Sequence, residues 1–350
     1  MTIAIVAVVL VGLWVVTPLI LDDSTLTNLA YSGIFAIAAV GLVLLSGYGG
    51  QSSFAQPAFM LIGAYTTVNL GAVLQLPMAL YLLAAVALAG LIGAAVGVLA
   101  LRLEGQQLAI VTLGVLLVSQ YIAYEATELT GGENGRSAAG ASRDLFGIDL
   151  AALGGFTSSQ SEFWVVWAIV ALVAWASMRL LRQRPGQALI SVRENAAAAS
   201  ALGVDVRREK LKAFTWASAL GGLAGALYAA FQQYATPSDF GLLPAVLLLA
   251  MLVIGGSRSV VGTIIGALLV WGGKQWVSDS ASTGGVLSWL VKVPGSTEGL
   301  MAPGDLVTFI FGIAIIVVLL VSPAGLAGIF TSLRTRARRS RRASTARVQA

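Results

Sequence analysis

The chain has 350 residues, 57% of them hydrophobic and only 11% charged. A water-soluble domain carries about 25% charged residues, so this one cannot coat a soluble globule of its size; its composition suits a surface that mostly faces lipid. There is no cysteine and no histidine, which excludes disulfides, thiolate nucleophiles and Cys-bound metal, and removes the commonest metal ligand, general base and pH switch.

A membrane-spanning helix needs about 20 mostly apolar residues. Ten stretches meet that description: 3–21, 27–46, 52–73, 78–101, 107–126, 162–181, 213–234, 242–256, 259–277 and 303–321. The first lacks a positive leading region and reads as a retained span rather than a cleaved signal. The eighth is short for a full crossing. The pattern predicts an all-α, polytopic membrane helical bundle over residues 1–332. Gly93 and Gly97, Gly221 and Gly225, and Gly262 and Gly266 are spaced four apart, which puts each pair on one helix face for close packing.

Lysine and arginine set the orientation. With the N-terminus inside, the inner segments hold Arg102; Arg179, Arg182, Arg184, Arg193, Arg207, Arg208, Lys210 and Lys212; Arg258; and the tail residues Arg334, Arg336, Arg338, Arg339, Arg341, Arg342 and Arg347. That is seventeen, against Arg136, Arg143, Lys274 and Lys292 outside. Both termini are therefore expected on the cytoplasmic side. The 333–350 tail is read as a disordered basic segment touching anionic lipid, not nucleic acid. Two outer loops, 127–161 and 278–302, are long enough to cover an entrance or meet an external partner, or to be plain connectors.

No GxxxxGK[ST] phosphate loop is present, so this chain is not itself a P-loop ATPase. The spans hold almost no ionisable residue for an ion relay. Glu125 and Lys274 lie near span ends and read as interfacial. A membrane enzyme is disfavoured on the same residues. A self-sufficient ion-coupled carrier or channel stays open, because backbone carbonyls bind sodium.

The loop 182–212 is the one long polar segment between apolar ones. Pro185-Gly186 is expected to end the sixth span. Residues 187–203 read as one short helix with the run Ala196–Ala199 and Gly203 as its stop, and Asp205 as cap of the next turn. Such a narrow helix on the basic side can enter a groove in another protein, or simply lie at the interface. Further up, Gly47, Gly49 and Gly50 break a helix and Ser52 or Ser53 is expected to cap the next. Free N–H groups at a helix start suit a carboxylate or carbonyl, and Gln51 and Gln56 add uncharged hydrogen bonds. A tight interhelical turn is the competing reading.

The block ALISVRENAAAASALGVDVRREKLKAFTWASALGGLAGALYA, with Arg193-Glu194, Ala201-Leu202-Gly203 and Gly222 to Tyr228, resembles the permease subunits of branched-chain amino-acid ABC importers, the LivM-like group. SGYGGQSSFAQPAFMLIGAYT (46–66), LAIVTLG (108–114), LTGGENG (129–135), SDFGLLPAVLLLAMLVIGG (238–256), SVVGTIIGALL (259–269) and SPAGLAG (322–328) are similar to further blocks of that group in the same order. Ala55, Gln56 and Pro57 depart from its usual pattern.

The resemblance implies a type II ABC importer-like permease in a bacterial plasma (inner) membrane. It translocates branched-chain or hydrophobic amino acids by alternating access; urea, short amides and aromatic acids are the other solutes of such relatives. It implies a second permease subunit, two cytoplasmic ABC ATPase subunits that use ATP-Mg, and an external substrate-binding protein, with no cofactor bound by this chain. It assigns Arg193, Glu194, Ala197, Ala201 and Gly203 to ATPase coupling. Gln51, Ser52, Ser53, Gln56 and Thr112 are the candidate substrate pathway.

Overall fold

The computed structural model describes Pro18, residues 20–101, 103, 105–145, 148–149 and 157–282, and the isolated positions 309 and 313. Most of the predicted spans 3–21 and 303–321, most of the loop 278–302 and the 333–350 tail lie outside the described residues.

The elements follow in chain order. Helix α1 (Asp23–Leu42) runs on as a π-helical turn, Val43–Tyr48. Helix α2 (Gln56–Thr66) likewise continues as a π segment, Thr67–Val73. Then come α3 (Met78–Ala100), α4 (Gln106–Glu125), the single turn α5 (Thr127–Thr130) and α6 (Ser158–Arg182). A polar pair, α7 (Arg184–Glu194) and α8 (Ala196–Ala201), precedes α9 (Val206–Gln232), α10 (Leu242–Gly255) and α11 (Val260–Ser282).

Among the described residues six helical stretches are long and apolar enough to cross a membrane: Asp23–Tyr48, Met78–Leu99, Gln106–Glu125, Ser158–Arg182, Val206–Gln232 and Pro237–Gly255, with Val260–Lys274 a shorter apolar one. These helices, with α2, coincide with the second to ninth predicted spans. The third begins at Gln56 rather than residue 52, because the chain stays irregular after Gly50, whose φ is +68°.

Helix α9 is the packing centre and lies against α1, α2 and α3. Its small residues permit this. A Cβ placed on Gly63 of α2 would lie 1.9 Å from the Gly222 carbonyl oxygen, and one on Gly225 would lie 1.8 Å from the Met60 carbonyl oxygen. Helix α1 is buried on nearly every side in its second half, from Gly33 to Leu45, as expected of a helix apolar all round. By contrast α3 and α4 leave Leu83, Leu91, Leu99, Ile110 and Leu117 exposed, a surface that fits lipid.

The loop between α4 and α6 adds a little β structure to the predicted all-α bundle. Arg136–Ser137 (β1) pairs antiparallel with Tyr234–Ala235 (β4), and Asp144–Leu145 (β2) pairs with Ile148–Asp149 (β3). Tyr81 Oη donates to the Ser142 carbonyl at 2.9 Å, and Arg143 bonds Glu162. The described part of this loop is thus fastened to the bundle.

Candidate coupling segment and pathway residues

The polar segment begins where α6 stops. Gln183 is extended (φ −87°, ψ 172°) and Pro185 falls in the first turn of α7. There its missing N–H costs nothing, since first-turn donors have no partner inside the helix. Pro185-Gly186 therefore opens a helix, where the sequence pattern had it closing the sixth span.

The predicted helix 187–203 is two helices. Asn195 is extended (φ −157°, ψ 100°), and its Oδ1 accepts the Ala198 N–H at 3.0 Å. Asparagine competes for backbone hydrogen bonds and favours a cap over a helix interior. Here it ends α7 and starts α8. Gly203, at φ +85°, follows as the helix stop, with Val204 N–H donating to the Ala199 carbonyl at 3.0 Å. Asp205 Oδ1 accepts the Arg208 N–H at 3.1 Å and starts α9.

Helix α7 is anchored by buried Gly186, Leu189 and Val192. Its last turn reaches the π-helical turn that continues α1. Arg193 Nη1 lies 3.5 Å from the Ser46 carbonyl, and the Arg193 stem passes so close to Gly50 that a Cβ there would meet its Cγ at 3.0 Å. Glu194 and Arg193 line a cavity of about 80 Å3 with Gly47, Tyr48, Ile190 and Arg258. Burial first, and the Arg258 charge second, lower the Arg193 pKa from its ordinary value. Tyr48 Oη donates to the Arg258 carbonyl at 2.5 Å. Residues 193–194 and the 46–50 turn are thus one contact.

Helix α8 faces outward. Ala197, Ala201 and Gly203 are exposed, Ala199 is buried, and Leu202 is 86% exposed. An apolar residue this bare beside a stripe of alanine is a small, smooth projection.

Three of the candidate pathway residues gather near Phe54. Gln51 is buried, with its Nε2 lacking any partner. Ser53 Oγ accepts the Ala55 N–H at 3.2 Å, one residue ahead of α2, whose cap residue Ala55 has no side-chain cap bond. Thr112 Oγ1 accepts the Phe54 N–H and donates to the Ala109 carbonyl, both at 3.0 Å. Ser52 is exposed. Gln56 lies apart: its Nε2 donates to the Ala38 carbonyl of α1 and the Ala217 carbonyl of α9, each at 3.0 Å.

The sequence pattern did not reveal the role of Asn195 or the shared cavity that Arg193 and Arg258 line. The first leaves a local signal, a capping residue before alanine; the second joins positions 65 residues apart and leaves none. Among the described residues no cluster of three or more Asp or Glu side chains could hold a metal.

A multi-pass helical bundle with a polar two-helix projection defines a membrane permease. The chain belongs to the family described as "Branched-chain amino acid transport system / permease component", which matches residues 24–319. It is 32% identical over 293 residues to the high-affinity branched-chain amino acid transport system permease protein LivM of Escherichia coli (strain K12), covering 78% of this chain and 68% of that one. The protein of the same name from Salmonella typhimurium is 33% identical over 267 residues, covering 70% of this chain and 62% of its own length. This chain thus spans less than two thirds of the Salmonella protein. A probable branched-chain amino acid transport permease protein LivH of Methanocaldococcus jannaschii is 25% identical over 319 residues, covering 85% and 90%. No solved structure matches the chain.

Proposed function

We propose that this chain is the membrane-spanning subunit of an ATP-driven importer for branched-chain or other hydrophobic amino acids. Separate cytoplasmic ABC ATPase subunits hydrolyse ATP-Mg. A second permease chain completes the pore, and an external binding protein delivers solute. The chain sits in a bacterial inner membrane with both termini in the cytoplasm.

The observation that carries this reading is the α7–α8 segment. Its first helix is packed into the bundle, while its second offers Ala197, Ala201, Leu202 and Gly203 outward. A part that is rooted at one end and bare at the other transmits the motion of a docked subunit as a rigid-body shift. Through Arg193 that shift reaches Ser46 and Gly50, next to the Gln51, Ser53 and Thr112 group.

The test is reconstitution of the chain in liposomes with its ATPase, permease and binding-protein partners. ATP-dependent accumulation of radiolabelled L-leucine is expected, lost when the ATPases are left out. Gradient-driven uptake by the chain alone would establish a self-sufficient carrier instead.

A further inference from the structure

Lys274 does not behave as a lysine at a membrane surface. At the end of an apolar helical stretch such a side chain ordinarily stretches its ammonium toward water. Here it folds back one turn over the Trp271 ring, with Nζ 4.6 Å from the ring centroid. Helical side chains lean toward the N-terminus of their helix, and this one leans along the apolar part of α11, Val260–Lys274. Among the described residues no carboxylate forms an ion pair with it.

Trp271 is itself incomplete. Its Nε1 is buried and, among the described residues, has no hydrogen-bond partner, although a buried indole N–H usually finds one. Two donors one helical turn apart thus lack an acceptor. The surroundings are aromatic. Phe35 stacks on Trp271 with centroids 4.2 Å apart, and Tyr31 lies 6.2 Å from it. Tyr228 closes on Tyr31 at 5.8 Å and on Phe35 at 6.3 Å.

An acidic group stands beside this wall. Asp239 sits in the turn Pro237–Phe240, whose Phe240 ring meets Tyr228 edge-on with centroids 5.5 Å apart, and its charge acts on Lys274, Tyr31 and Tyr228. Its Oδ2 accepts the Thr236 N–H at 3.1 Å, which leaves Oδ1 uncommitted among the described residues. Tyr31 Oη donates to Gln232 Oε1 at the same end of the bundle.

We infer that Lys274 and Trp271 form a carboxylate-binding site for an apolar α-amino acid, with Asp239 facing its ammonium and Tyr31, Phe35 and Tyr228 its side chain. This deepens the function proposed above and rests on it for the choice of solute. Cation and indole donors fit a carboxylate. The ammonium is met by a carboxylate and by ring faces, which attract cations. A neutral solute such as urea would leave Lys274 and Asp239 without counter-charges.

The test uses the full-length chain in lipid nanodiscs, with thermal unfolding as readout and three probes. These are L-leucine, L-leucinamide, which lacks the carboxylate, and 4-methylpentanoate, which lacks the ammonium. A ligand that binds only the folded state raises its midpoint, so leucine is expected to raise it more than either analogue. Lys274→Met is expected to weaken leucine binding at least about tenfold, with Lys274→Arg retaining much of it. If Lys274→Met does not fold, Trp271→Phe keeps the ring and removes only the N–H, and it too is expected to weaken leucine binding. Equal shifts from leucine and leucinamide, no leucine shift in the natural chain, or full leucine binding by both variants would overturn the site. ATP-driven leucine uptake by the assembled importer separates the two readings: its absence overturns the proposed function, whereas uptake unaltered by Lys274→Met overturns this site alone.

Discussion

Arg143 and Glu162 form an ion pair at 3.3 Å, with side chains only 14% and 11% exposed. The arginine comes from the loop between α4 and α6 and the glutamate from the first turns of α6. Arg143 Nη2 also donates to the Phe231 carbonyl of α9 at 3.4 Å. One guanidinium therefore binds the loop to two helices. Removing one partner strands the other charge away from water, whereas replacing both with apolar groups does not. Glu162→Gln is expected to lower stability by about 3 kcal/mol, read as a fall in the thermal midpoint in detergent. The double variant Arg143→Met with Glu162→Leu should recover most of that loss.

The α2–α9 contact predicts a sharp contrast among glycines. Gly63 and Gly225 face backbone carbonyls that cannot rotate away. Alanine at either position is expected to cost about 3 kcal/mol, near the upper end for an overpacked core, and to lower the amount of folded protein in the membrane. A Cβ on Gly114 of α4 has nothing within 4 Å. Gly114→Ala should stabilise by about 0.5–1 kcal/mol through helix propensity. Thermal unfolding of the three variants side by side is the check.

Asn195 divides the coupling segment, and its side chain holds the first turn of α8. Asn195→Ala removes a cap worth about 1 kcal/mol and leaves a residue that favours one continuous helix. The ratio of chains with α8 in place to chains without it should fall roughly fivefold. The expected signature is reduced ATP-driven uptake with a nearly unchanged thermal midpoint, because α8 is exposed and contributes little to the core.

Gln56 bridges two helices through the Ala38 and Ala217 carbonyls. Gln56→Leu should cost about 1–2 kcal/mol for the two lost bonds. On this geometry the relative uptake of different solutes should stay as in the natural chain. Competition uptake assays with leucine, valine and phenylalanine measure it.

Much of the architecture was legible because membrane spans announce themselves by length and apolarity. The second to ninth spans follow the residues expected of them, as do the stop at Gly203 and the cap at Asp205. Helix ends chosen by competition between local options were less legible. Pro185 suits both the end of one helix and the start of the next, and the extended Gln183 decides for the second. Asn195 interrupts a run of helix formers that propensity alone would join. Side-chain destinations were the least legible. Gln51 and Gln56 read alike in the sequence, yet one is buried without a partner and the other ties α1 to α9. Trp271 and Lys274 gain their meaning only from Phe35 and Tyr31, more than two hundred residues away.

The backbone-to-backbone seating of Gly63 on Gly222 and of Gly225 on Met60 has a mechanical consequence. Side chains yield to shear by changing rotamer, but main chain pressed on main chain has no such give. Helices α2 and α9 must therefore travel together as one stiff plate. Any rearrangement that opens a passage has to leave that seam intact and move the two helices as a unit.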